Sequence, residues 1–138
     1  METINAEHFN MKTMIADYME KGFLDNIIDM FKHDKSLYEY VGDLLSDERM
    51  RVRLGISALI ETLKAEDSEN IPKAIPYILP LLKNQNPVSR GDAAYLLGVI
   101  GRRDAIPFLN EIAKDEDVNV SIIAKEAIEE IKSNLQTF

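Results

Sequence analysis

Four oxygen-bearing side chains near the carboxyl end stand at a spacing that suits a cation. In DEDVNVSIIAKE, residues 115–126, Asp115, Asp117, Asn119 and Glu126 take the first, third, fifth and twelfth places of a calcium-binding loop. The sixth place of such a loop needs glycine to turn the chain around the ion, and here it is Val120. An acidic turn that caps the start of a helix fits the segment better. His8 and His33 are the only histidines, and neither is followed by a glutamate. The glycines are too scattered to cradle a phosphate. No metal and no cofactor are therefore expected, and no catalytic set is assigned.

Two further motifs carry charge. Arg90-Gly91-Asp92, within SRGDAAYLLG, would act as a recognition tripeptide only in an exposed, extended loop. Lys83, Arg90, Arg102 and Arg103 make residues 82–105 locally basic against Asp92 and Asp104, enough to dock a phosphate or an acidic peptide. Solvated loops beside helix carboxyl ends explain them more simply.

Which reading holds depends on the elements that carry these residues, and the chain supplies them as a repeat. LLSDERMRVRLGISALIETL begins at Leu44, LLKNQNPVSRGDAAYLLGVI at Leu81 and IAKDEDVNVSIIAKEAIEEI at Ile112, at offsets of 37 and 31 residues. Asp47, Asn84 and Asp115 open the turn in each copy. Apolar columns follow at Ile56, Ala93 and Ala124, at Leu59, Leu96 and Ala127, at Ile60, Leu97 and Ile128, and at Leu63, Ile100 and Ile131. Intervals of three and four put these columns on one helix face. Arg90-Gly91-Asp92 then falls inside a helix, which cannot present an extended loop.

A shorter helical pattern precedes each copy. Residues 74–79 (AIPYIL) align with residues 105–110 (AIPFLN), and Ser36 to Asp43 takes the same place in the first unit. Pro72, Pro76 and Pro107 mark helix starts, Asp104 is a natural cap, Gly101 suits a helix end, and Pro80 should bend the helix it falls in. The unit is helix, turn, helix: repeat 1 over 36–64, repeat 2 over 71–101 and repeat 3 over 104–135, with an extra loop near Ala65 to Asn70. Residues 1–35, with Phe9, Met14, Ile15 and Tyr18, then Phe23, Leu24, Ile27, Ile28 and Phe31 around Gly22, read as two capping helices. The expected fold is one all-α domain, an α-solenoid of about four antiparallel helix pairs.

LLKNQNPVSRGDAAYLLGVIG resembles a HEAT repeat of the short type shared with the phycobilin-lyase group, and the resemblance covers Ser36 to Ile131. It implies a right-handed superhelix whose second helices line a concave, binding side. It also implies a structural ladder in which an arginine of the second helix pairs with a turn aspartate of its own or the next unit. Asp47 with Arg53 keeps that pattern, Asn84 with Arg90 and Asp115 with Ser121 weaken it, and Arg90 is left to reach Asp115 or Asp47. The paired His-Glu motifs of the HEAT-type deoxyhypusine hydroxylases are missing.

At 100° per residue, the outward positions of the second helices are Arg51, Leu54, Ala58, Glu61 and Thr62, then Val88, Gly91, Tyr95, Gly98 and Val99, then Asn119, Ile122, Glu126, Glu129 and Glu130. The middle set carries no charge. Arg51, Leu54, Val88, Gly91, Tyr95, Val99 and Ile122 are the expected partner-binding residues, with Gly91 and Gly98 letting a partner approach the backbone beside Tyr95. The competing reading covers this face with the protein's own capping helices, with Leu135 and Phe138, or with a second copy.

Bulk properties agree. With 138 residues, 46% of them hydrophobic, and no cysteine, the chain can bury a core without disulfides or thiolate metal sites, which fits the cytoplasm. A net charge of −8 disfavours a nucleic-acid backbone. No membrane span or export signal is read. The expectation is a non-enzymatic scaffold for a protein or peptide partner, with self-association through the solenoid ends as a further route. A tetrapyrrole lyase or chaperone and a nucleic-acid enzyme akin to HEAT-like alkylpurine glycosylases are the alternatives implied by the resemblance.

Overall fold

The computed structural model describes residues 2–135, with side chains from residue 11 onward. His8 and Phe9 as side chains, and Phe138, lie outside the described residues. Those residues form eight α-helices, four short 3-10 segments and no strand, so the protein is all-α. The helices are α1 (Glu2–Glu20), α2 (Leu24–His33), α3 (Val41–Leu45), α4 (Met50–Glu66), α5 (Ile75–Ile78), α6 (Pro87–Ile100), α7 (Ile106–Ile112) and α8 (Val118–Leu135).

The long helices turn apolar stripes toward the core. Val52, Ile56, Leu59, Ile60 and Leu63 of α4 are all wholly buried, each contributing about 1.5–3 kcal/mol of burial. Asn86 caps α6 by accepting from the Val88 N–H at 2.9 Å, Pro87 fills the first turn, and Gly101 ends the helix in the left-handed conformation at φ +80°. Arg90, Gly91 and Asp92 are thus mid-helix residues.

The helices before the turns are short and broken. Lys35–Tyr40 is a 3-10 segment leading into α3. Pro80 does more than bend its helix: α5 stops at Ile78 and the chain continues as a 3-10 segment over Leu79–Lys83, because proline offers no N–H to the α-helical ladder. Asp104 does not cap the helix holding Pro107; that helix begins at Ile106, and Asp104 lies within the 3-10 segment Arg103–Ala105 instead. The loop expected from Ala65 is shorter, since α4 runs on to Glu66. Lys35 then holds the loop through Asp67 at 2.6 Å, and Lys32 pairs with Glu66.

The longest helices are neighbours in chain order: α1 packs on α4, α4 on α6, and α6 on α8. The shorter segments lie against them, with α2 and α3 on α4, Leu79–Lys83 and α5 on α6, and α7 on α8. One contiguous cluster of buried apolar side chains runs from Ile15 to Ile131. Among the described residues, no helix is long and apolar enough to cross a membrane.

Candidate functional site: a groove between the last two long helices

The three turns between short and long segments have the same local geometry. Oδ1 of Asp47, Asn84 and Asp115 accepts the N–H two residues on, at 2.9, 2.8 and 2.9 Å. In the corresponding place of the following helix, Arg53 donates to the carbonyls of Asp47 and Glu48, Arg90 to those of Asn84 and Gln85, and Ser121 to that of Ala113. Each donor satisfies carbonyls that the preceding segment leaves open.

The expected ladder is therefore corrected in its first rung. Arg53 bonds the backbone of Asp47, whereas the Asp47 carboxylate is held by Arg49 at 3.0 Å, and Arg49 also reaches Asp17 of α1. The nearer arginine has the shorter path to the carboxylate. Arg90 does cross to the next unit, pairing both oxygens of Asp115 at 2.7 and 3.0 Å with little of either side chain exposed. The Arg90 hydrogen bonds hold the Asp115 carboxyl below the usual carboxylate range. Asp117 accepts from the Val120 N–H and so caps α8. Both are engaged as helix-terminus and ion-pair groups.

Beside this edge a groove of about 690 Å³ opens between α6 and α8. Its apolar lining is Tyr95, Val99, Ile123 and Ala127, its acidic lining Asp92, Glu126 and Glu130, and Lys64, Asn134, Gly91 and Gly98 complete it. Tyr95 is 47% exposed and its hydroxyl donates to Glu61 of α4 at 3.3 Å. Burial and then the Glu61 charge raise the phenol above its ordinary value. Lys64 donates to the Ile100 carbonyl at 2.6 Å and so closes the end of α6. Burial raises the Asp92 carboxyl, opposed only by the charge of Arg53.

The structure brings Gly91, Tyr95 and Val99 to this groove, and leaves Arg51, Leu54, Val88 and Ile122 exposed outside its lining. Arg51 donates to the Glu20 carbonyl at the end of α1. The glycines line the groove beside Tyr95, and a helix of the same chain also approaches their backbone. Gly91 and Gly98 are buried, and what approaches their backbone is α8: a Cβ on Gly91 would meet Ile123 Cδ1 at 3.2 Å, and one on Gly98 would meet Ala127 Cβ at 2.8 Å. Tyr95 therefore borders a helix interface as well as the groove. Leu135 is exposed and is not part of the groove lining, so it does not cover this face.

Asp92, Ile123, Ala127 and Lys64 are site residues that the helical projection misses. One signal for the first was present: Gly55, Asp92 and Ile123 share a column, in which a carboxylate is out of character. A second, smaller hollow of about 460 Å³ beside α1 and α3 is lined by Lys12, Asp43, Asp47 and Arg49, whose charges already pair with one another. The α6–α8 groove is the larger of the two and has the greater apolar content.

No family model matches the chain, and no curated protein matches it. The groove combines a half-exposed aromatic ring, an apolar floor and a carboxylate rim.

Proposed function

We propose that this protein is a non-enzymatic, HEAT-like scaffold that holds a protein or peptide segment on the face formed by its longest helices, centred on Tyr95. In this reading the helices make about four antiparallel pairs wound as a right-handed solenoid, and α4, α6 and α8 line its concave side. The three matching turns and the chain-order packing of the longest helices support that plan. The cysteine-free sequence supports work in the cytoplasm.

The observation that carries the binding function is the groove itself. It places a half-exposed tyrosine beside about 690 Å³ of open space whose lining is more apolar than polar and is rimmed by carboxylates. An aromatic anchor in such a hollow commonly supplies a large part of a binding interface's energy.

The test is affinity capture from the source cells with wild type and Tyr95→Arg side by side, after circular dichroism shows both equally helical. Capture is followed by crosslinking from a photoreactive residue at position 99. A species retained by wild type, lost with Tyr95→Arg and crosslinked at 99 is the expected result. Identical retention by both proteins overturns the reading.

A further inference from the structure

The groove has a charge sign, and the sign selects an occupant. Across it, Asp92 of α6 faces the side of α8 that carries Glu126 and Glu130 four residues apart, one turn of helix. Lys64 is the one cation of the lining, and its ammonium is already donated to the Ile100 carbonyl. The lining thus carries three carboxylates against one committed ammonium. No hydrogen bond reaches Asp92 among the described residues, and burial lifts its carboxyl above the ordinary range. Glu61 adds a fourth carboxylate at the border, holding the Tyr95 hydroxyl at 3.3 Å.

A partly desolvated carboxylate without a donor is unfavourable in the free protein, and a cation that arrives with apolar neighbours relieves it. The floor supplies the complement for those neighbours: Val99, Ile123 and the ring of Tyr95 are apolar and partly open. A nucleic acid is repelled by the same carboxylates. A bare metal ion would meet no cluster of three or more candidate ligands among the described residues. An amphipathic protein segment with lysine or arginine beside leucine-like side chains satisfies both the floor and the rim.

We infer that the segment held in the α6–α8 groove is cationic and amphipathic, and that a lysine or arginine of that segment pairs with Asp92 between Tyr95 and the Glu126–Glu130 turn. This rests on the binding reading given above. It adds the partner's charge and the residue that reads it. Pairing across a partly buried interface contributes to specificity as well as to affinity, since an uncharged or acidic segment would leave Asp92 desolvated and unpaired.

The experiment uses fluorescence anisotropy with labelled helical peptides of about 14 residues, roughly four turns. One is built from leucine, alanine and lysine, a second has glutamine in place of each lysine, and a third has glutamate there. The proteins are wild type, the groove variant Asp92→Asn/Glu126→Gln/Glu130→Gln, and a control, Glu69→Gln/Glu111→Gln/Glu116→Gln. The control has the same net charge as the groove variant and alters exposed carboxylates outside the lining. The lysine peptide should bind wild type and the control alike, and bind the groove variant roughly tenfold more weakly or worse. The glutamine and glutamate peptides should bind wild type at least about tenfold more weakly than the lysine peptide.

Equal weakening in both variants means attraction to overall charge and overturns the inference, as does undiminished binding of the glutamine peptide. Failure of the inference is separable from failure of the binding reading. A cellular partner lost with Tyr95→Arg but kept by the groove variant leaves the groove standing and removes the cationic occupant. A partner kept by both removes the groove.

Discussion

At the scale of single residues, α6 and α8 meet through missing side chains. Ala127 Cα lies 3.0 Å from where a Cβ on Gly98 would stand, so the obstacle there includes backbone. At Gly91 the nearest atom is the far end of Ile123, which borders the open groove and can turn aside. The two positions respond in opposite directions to the same substitution. Gly91→Ala should be neutral or stabilising by up to about 1 kcal/mol, the helix-propensity gain of alanine. Gly98→Ala should lose about 1–2 kcal/mol, because overpacking outweighs that gain. Urea unfolding of both variants checks the pair, and equal shifts would mean that the helices are less closely apposed. These glycines show what projection onto a helical wheel misses. It gives Gly91 and Gly98 an outward direction, but only the neighbouring helix decides whether outward is solvent.

At the scale of elements, the second helix of each unit was legible because its apolar columns recur at three and four residues, and the columns at Ile56, Ala93 and Ala124 are indeed buried. The first helices were less so. Pro76 suits a helix start and Pro80 is expected only to bend that helix, yet α5 is only four residues long, since the second proline falls where a ladder N–H is required. The candidate site was legible in part. Tyr95 stood out as an aromatic ring on a face without charges, whereas Asp92 and Ile123 come together only when α6 and α8 pack. Side-chain caps start α6 at Asn86 and α8 at Asp117. Asn86 holds α6 through a single side-chain acceptor at 2.9 Å. Asn86→Ala should therefore cost about 1 kcal/mol. Asn86→Ser, which keeps an acceptor, should recover most of it in the same denaturation series.

For the whole molecule, four carboxyls set the response to acid. Asp47, Asp67 and Asp115 are held low, chiefly by hydrogen bonds from Arg49, Lys35 and Arg90 respectively. A carboxyl depressed in the folded state binds its proton more readily when unfolded. The stability it contributes is present at neutral pH and lost as pH falls below about 4, the ordinary carboxylate range. Asp92 works the other way, since burial raises it, so its cost is present at neutral pH and vanishes once it is protonated. Three groups oppose one, and the thermal midpoint should fall between pH 5 and pH 3. Asp92→Asn should melt higher than wild type at pH 7 and converge with it at pH 3. A midpoint flat across this range, or a constant gap between the two proteins, would contradict the assignment.

The donors that clamp the turns have a consequence for how such a chain can change over generations. Arg53 and Arg90 grip main-chain carbonyls of the residues that open their turns, and every amino acid supplies a carbonyl. Glu48 and Gln85 can therefore be exchanged for other residues without loosening the grip, while the arginines cannot be shortened without losing a second carbonyl. Ser121 stands in the same place of the third turn and reaches back instead to the Ala113 carbonyl, two residues before Asp115. Copies of a unit built this way drift apart in spelling while the turn they spell stays the same.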